Sequence, residues 1–287
     1  MTVVVNDYPR QLTPVNHVAP APRRVRATLA GETVLDTTEA RYVWEWPHYP
    51  QYYVPLGDVR PGVLESVGTF EQSPQGLIER HRIRAGAGER PAGAIVVRES
   101  ALEGLVGTAR LEWGALDAWF EEDERIFIHP RSPYVRVDAL CSTRTVRVEV
   151  DGVTLAESSS PVMVFETGLP TRYYLNRTEV DLSHLVPSDT VTQCPYKGMT
   201  SAYWSIDVGG TLRPDLVWSY DFPTRQLLAV TGMLGFYNEK VDIFVDGRAL
   251  PQPQTHFFPA GTRSDPQAAD RGHDTEPPVV GQPFDGR

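Results

Sequence analysis

Two side chains with reactive potential stand three residues apart in the stretch Cys194-Pro195-Tyr196-Lys197-Gly198. On a turn shaped by proline and glycine, an ammonium beside a thiol favours the thiolate, because a nearby positive charge stabilises the charged form. The chemistry this predicts is nucleophilic or redox: Cys194 as the reacting sulfur, Lys197 as its stabilising cation and Tyr203 as an assisting phenol. Tyr196 and Trp204 supply aromatic walls with polar tips. Glu166, Tyr173 and Tyr174 add an acid and two phenolic donors from a neighbouring segment. The base that a nucleophilic cysteine normally uses, a histidine, does not lie nearby in the sequence. The same residues fit an inert core cysteine and a solvated turn lysine; burial and the state of the thiol separate the two descriptions.

The elements that must position this turn are read from an internal repeat. Displaced by 121 residues, positions 25–59 fall on 146–180 without a gap, with identities that include Arg26, Gly31, Glu45, Tyr52 and Tyr53. The match resumes at an offset of 125, where Gly107 falls on Gly232 and Asp117 on Asp242. Between these blocks an offset of 122 puts Gly76 on Gly198. The first copy then has Gln72-Ser73-Pro74-Gln75-Gly76 where the second has the Cys-Lys turn, and His81-Arg82 where the second has Tyr203-Trp204. The frame is kept and the reactive groups occur in one copy, so the second copy is expected to hold the chemical site.

Within each copy the pattern is that of strands. Val146, Val148 and Val150 alternate with Arg147 and Glu149, the period-2 signature of a half-buried strand, and Asp151-Gly152 follows as a tight hairpin turn. VMVF (162–165), RYYL (172–175), SAYWSI (201–206) and VDIFV (241–245) are further short β-branched or aromatic runs. Helical spacing is not sustained over ten residues; single turns are expected near Ser100–Leu105 and Thr224–Leu228. The fold class is all-β: two tandem antiparallel domains at 24–123 and 145–247, a packed connector at 124–144, a flexible arm at 1–23 and a disordered tail at 248–287. The connector, with Ile126, Phe127, Ile128, Tyr134, Val135 and Val137, is too apolar for a free linker and is expected to pack against both copies. The tail is rich in Pro, Gly, Gln and Asp and has little apolar area to offset its ordering entropy.

Composition narrows the function classes. The chain has 287 residues and a formal net charge of −10, which argues against a nucleic-acid partner, whose footprint is a basic face. No apolar run reaches the ~20 residues a spanning helix needs, so no membrane partner is expected. Two cysteines, Cys141 and Cys194, are too few for a thiolate zinc site, and no metal is assigned. The opening residues lack a charged region followed by an apolar block, so a cytoplasmic protein with reduced thiols, monomeric or homodimeric, is the expectation.

The turn CPYKG with its downstream YW (194–204), Val217-Trp218 with Tyr220, Gly232 with Phe236-Tyr237, and Val241-Asp242 resemble the family called domain of unknown function 427, in its tandem form. AWFEEDE (118–124) and HPRSPYVRVD (129–138) resemble the junction of such tandem proteins. The resemblance covers 24–247 and implies a β-tent-like fold with two sheets per copy. Many β-tents hold zinc between paired CxxC motifs, which this sequence lacks. A nucleotidyltransferase-like label sometimes given to the family is disfavoured, since Asp207 and Asp215 are isolated and no Gly-rich phosphate loop precedes a carboxylate pair. With Trp218 from the shared motif, the candidate ligand contacts are Tyr196, Trp204, Glu166, Tyr173, Tyr174 and Trp218. The cofactor is unknown and the ligand is an unidentified small molecule. The alternative is a non-catalytic scaffold that engages a partner through the aromatic cluster Trp44, Trp46, Tyr49, Tyr52 and Tyr53 and the connector. That cluster reads more simply as core and inter-sheet packing. Arg80, Arg82 and Arg84 share one strand face, as an anion site or, more simply, as a solvent face paired with Glu121–Glu124. His129 and Arg131 stand where the connector could bring them over the second-copy turn, although a connector histidine is ordinarily a surface residue.

Overall fold

The structure is a computed structural model that describes residues 8–9, 12–255 and 258. The chain divides into two compact units. Leu12–Ser132 forms the first; Pro133 onward, with Tyr8 and Pro9, forms the second. Both are all-β, and the described residues contain short 3-10 turns but no α-helix.

In the first unit the larger sheet is built from β1 (Val18–Pro20), β4 (Arg41–Val43), β5 (Gln51–Pro55), β9 (Thr108–Leu111), β8 (Gly88–Glu99), β7 (Gly76–Ala85) and β6 (Leu64–Ser73), in that spatial order. The smaller sheet runs β11 (Glu124–Ile126), β10 (Ala118–Glu121), β2 (Val25–Leu29), β3 (Glu32–Thr37). In the second unit the larger sheet runs β12 (Val137–Cys141), β15 (Val162–Glu166), β16 (Arg172–Leu175), β22 (Leu234–Phe236), β21 (Thr211–Ser219), β20 (Ala202–Val208), β17 (Leu185–Ser188). Its smaller sheet is β14 (Val153–Ser158), β13 (Val146–Val150), β23 (Asp242–Val245), β24 (Arg248–Ala249). A separate ribbon, β18 (Gln193–Cys194) with β19 (Gly198–Met199), carries the Cys-Lys turn. The two units share one strand order, as the repeat requires, and each has the two sheets that the family resemblance implies.

Local chemistry accounts for these elements. The valines of β13 are 0–3% exposed while Arg147 and Glu149 stay half-exposed. Each buried valine contributes about 1.5–3 kcal/mol, against about 0–1 for an exposed ion pair, so the apolar face fixes the strand. Asp151 and Gly152 take φ of 52° and 78° and close the hairpin as expected, and Ala30-Gly31 does the same in the first unit at 50° and 77°. The turn expected at Thr224–Leu228 is the 3-10 segment Arg225–Val230; Ser100–Leu105 turns without becoming a helix.

Both terminal boundaries differ from expectation. Part of the arm expected over 1–23 is built into the first unit: β1 completes the open edge of β4, and His17 packs on Trp44 with ring centroids 5.1 Å apart. Residues 248–255 likewise leave the expected tail, because β23 offers an edge on which β24 pairs, and Thr255 is buried. Most of the remaining tail lies outside the described residues. The connector divides: Glu124–Ile126 pairs with β10, and Val137–Cys141 pairs with β15.

Arg80, Arg82 and Arg84 each pair with a glutamate on an adjacent strand. Glu71 takes Arg80 at 2.6 and 2.8 Å, Glu89 takes Arg82 at 3.3 Å, and Arg84 lies 3.0 Å from Glu65. Glu121 is instead a buried hub, 2% exposed. It accepts from Tyr52 Oη at 2.5 Å, Arg23 Nη1 at 2.6 Å, and Arg131 Nε and Nη2 at 2.9 and 2.6 Å. Burial works to raise its carboxyl, and Tyr52, Arg131 and Arg23 outweigh it and hold the group below the usual carboxylate range.

His129 is not on the surface but buried in the first unit, its ring stacked on Tyr49 at 3.9 Å and 10°. Burial pushes the imidazole down to about 4, so the folded ring is neutral near pH 7. Between its ordinary 6.5 and 4 the unfolded chain holds a proton that the folded chain does not, and stability falls as pH drops through that window. The loss from this residue is expected to total about 3 kcal/mol. In His129→Phe, which keeps the stack, urea unfolding at the two ends of the window should show that slope removed.

Candidate functional site

Three of the expected site residues converge. Cys194 begins the turn, paired across the ribbon with Gly198, whose φ of 99° only glycine adopts readily. Lys197 folds back from the turn, so that its ammonium contacts the Glu166 carboxylate and lies 3.8 Å from Cys194 Sγ. All three are buried, with 6–8% of the side chain exposed for Lys197 and Glu166 and 8% of the residue for Cys194. The turn is pinned by Thr224, whose N–H donates to the Lys197 carbonyl at 3.1 Å and whose hydroxyl donates to the Tyr196 carbonyl at 2.6 Å.

The electrostatics of the group run against a lowered thiol pKa. Burial pushes the Cys194 thiol up; the Lys197 charge works the other way, and Glu166 adds to the rise. Burial is the largest of these influences, and the Lys197 ammonium, in contact with Glu166, does not offset it. Lys197 keeps its charge: against burial, the neighbouring Cys194 and Glu166 hold it above its ordinary value.

Strand parity sorts the aromatic candidates, since adjacent residues on a strand point to opposite faces. Tyr174 faces the interior with Trp218, whose indole N–H donates to the Tyr174 hydroxyl at 3.1 Å, and burial pushes that phenol up to about 12. Tyr173 points the other way. Tyr203 faces Trp218 at 6.4 Å, and its hydroxyl lies 3.0 Å from that of Tyr237 and 3.1 Å from Thr192 Oγ1, not on the lysine. Trp204, on the opposite face of β20, is capped by the Arg177 guanidinium at 5.2 Å. Tyr196 is half-buried beside the turn. Tyr173 and Trp204 thus lie on the other faces of their strands, while Tyr174, which the Lys197 and Glu166 charges reach, and its partner Trp218 stay with the turn.

The interior also holds an ion pair that the sequence did not announce. Arg172 forks onto Glu239 at 2.5 and 2.7 Å and reaches Asn238 at 3.2 Å, with the Tyr237 ring 5.5 Å and the Trp218 ring 6.0 Å from its guanidinium carbon. Glu239 also accepts from Thr255 at 2.7 Å. The partners are 67 residues apart, and no local spacing signals such a pair. Among the described residues no group of three His, Cys, Asp or Glu is placed to hold a metal ion.

The first unit shows what its copy of the site became. Strand register places Tyr53 at the position of Tyr174, Ile95 at that of Trp218, and Arg110 at that of Gly235. There Glu45, the counterpart of Glu166, accepts from Tyr53 at 2.6 Å and is countered by Arg110 at 3.3 Å. In the second unit a Cβ at Gly235 would lie 2.9 Å from the Trp218 ring and 3.0 Å from Tyr174. The indole thus takes the room, and the cation comes from the turn instead. The register also corrects the alignment. His81 stands opposite Ala94 as Trp204 stands opposite Val217, so Tyr203-Trp204 match Arg80-His81 rather than His81-Arg82. The slip arises because β7 is continuous, whereas its counterpart breaks between Met199 and Ala202. Of the first-copy aromatic cluster, Trp44, Tyr52 and Tyr53 are at most 2% exposed and are core.

The fold and this interior define a tandem-repeat, two-sheet all-β protein with a buried Cys-Lys-Glu group in its second copy. The family described as Domain of unknown function (DUF427) matches residues 17–86 and 138–247, and the chain belongs to that family. The match begins at the residue before β1, in keeping with an ordered edge strand there. No curated protein matches the chain.

Proposed function

We propose that the second unit binds a small molecule beside the Cys194–Lys197 turn, with the Lys197 ammonium as its charged contact and Cys194, Tyr174 and Trp218 around it. The supporting observation is the asymmetry between copies. The first unit neutralises Glu45 with an arginine rooted in a strand; the second neutralises Glu166 with a lysine on a turn held by a two-residue ribbon. A strand-borne cation serves packing alone, whereas a turn-borne cation can exchange its carboxylate for a ligand's acceptor group at small cost to the sheets. With its thiol pushed up by burial, Cys194 serves as a contact in this reading; a Cys-dependent reaction would require the bound ligand to draw Glu166 off the lysine.

Native mass spectrometry of the full-length protein tests it. The wild type is expected to retain a small molecule that the doubly neutral Lys197→Met/Glu166→Gln variant releases. A wild-type mass equal to that of the bare chain, or equal retention by both proteins, overturns the reading.

A further inference from the structure

The phenol that strand parity removed from the Cys-Lys group opens onto a different place. Tyr173 is 7% exposed, and among the described residues its hydroxyl has no hydrogen-bond partner. It lines a cleft of about 250 Å3, wholly within the second unit, whose walls include Pro170, Ile243, Leu250, Pro251 and Tyr8. Thr171 and Asn238 also line the cleft, and a phenol hydroxyl on its wall can donate to an acceptor that enters between the apolar side chains.

The first unit supplies the identity of that acceptor. Register pairs Tyr173 with Met163 as it pairs Tyr52 with Tyr42, so the two tyrosines are equivalent. Tyr52 donates to the buried carboxylate of Glu121 at 2.5 Å. Glu121 pairs with Val25 as Val245 pairs with Val146, so the second unit has a valine where the first has that carboxylate. The donor was kept and its carboxylate partner was not. Arg144, at the repeat position of Arg23, remains close enough to act on the Tyr173 phenol and is held at the surface by Asp246 at 2.7 Å.

We infer that this cleft is a binding site for a small carboxylic acid with an apolar body, its carboxylate accepting from Tyr173 as Glu121 accepts from Tyr52. Proline, isoleucine and leucine walls hold the body, and Arg144 supplies long-range attraction for the charge. The inference is independent of the Cys194–Lys197 reading, since the two sites lie on opposite faces of β16.

Titration of the full-length protein with benzoate, followed calorimetrically and by NMR, tests it, with benzyl alcohol as the uncharged comparison. Benzoate is expected to bind more tightly than benzyl alcohol. Tyr173→Phe should weaken benzoate about tenfold, the worth of a hydrogen bond to a charged group, while leaving thermal stability unchanged. Leu250→Trp, at a position 37% exposed and tolerant of a larger side chain, should fill the cleft and abolish binding. No benzoate binding up to millimolar concentration, or unaltered affinity in both variants, overturns the inference. Lys197→Met/Glu166→Gln should bind benzoate as the wild type does, so the two sites fail or stand separately.

Discussion

Glu166→Ala is expected to destabilise the second unit by about 3–5 kcal/mol, the usual result of leaving one member of a buried ion pair without its partner. Lys197, 8% exposed at its side chain, would have to bury an uncompensated ammonium, give up its proton, or drag the turn outward. Lys197→Met alone should cost a similar amount by stranding the carboxylate. Glu166→Leu/Lys197→Met should recover most of the loss, because replacing both members with apolar groups removes the desolvation penalty along with the attraction. Urea unfolding of the four proteins checks this. A single-variant cost below about 1 kcal/mol would place the pair in the class of solvent-screened surface bridges.

Glu121→Ala should be comparably damaging to the first unit, at about 3–5 kcal/mol, because one carboxylate satisfies a phenol and two guanidinium groups there. The effect should be spatially specific. Arg23 precedes β2 and Arg131 follows β11, so removing their shared anchor should expose both stretches to protease before the sheets themselves open. Limited trypsin digestion with mass mapping reads this directly, with early cuts expected after Arg23 and Arg131. Acid should mimic the substitution: the stabilisation is complete above the ordinary carboxylate pKa of 4.5 and is lost as pH falls through the lower folded value.

Much of the architecture was legible because it rests on local patterns written twice. Alternating valines in 146–150 and the Asp151-Gly152 turn specify a hairpin without reference to distant residues, and a fixed offset of 121 marks the copy. The edges were less legible. Val18–Pro20 and Arg248–Ala249 are short, polar or proline-flanked, and become strands because a neighbouring strand leaves its hydrogen-bonding groups open, which no local signal records.

The site was legible in its centre and misread around it. Cys194, Lys197 and Glu166 do meet, yet proximity in sequence did not reveal that the carboxylate would contact the ammonium or that burial would push the thiol up. Tyr173-Tyr174 and Tyr203-Trp204 were each taken as pairs, although a strand sends such neighbours to opposite faces. The two-residue break after Met199 goes with a one-residue shift between the copies, and such a shift moves side chains to the other face wherever their period is two. Arg172 went unnoticed because its partner is remote in the chain.

The placement of the countercharge has a consequence for the two halves as building blocks. Their strand order is the same, but they are not interchangeable parts. A segment carrying Cys194–Gly198, grafted in place of Gln72–Gly76, would deliver a lysine to a carboxylate already served by Arg110. The reverse graft would leave Glu166 with no cation, because Gly235 stands where Arg110 would be needed. Shuffling between such repeats is therefore limited by charge balance before it is limited by shape.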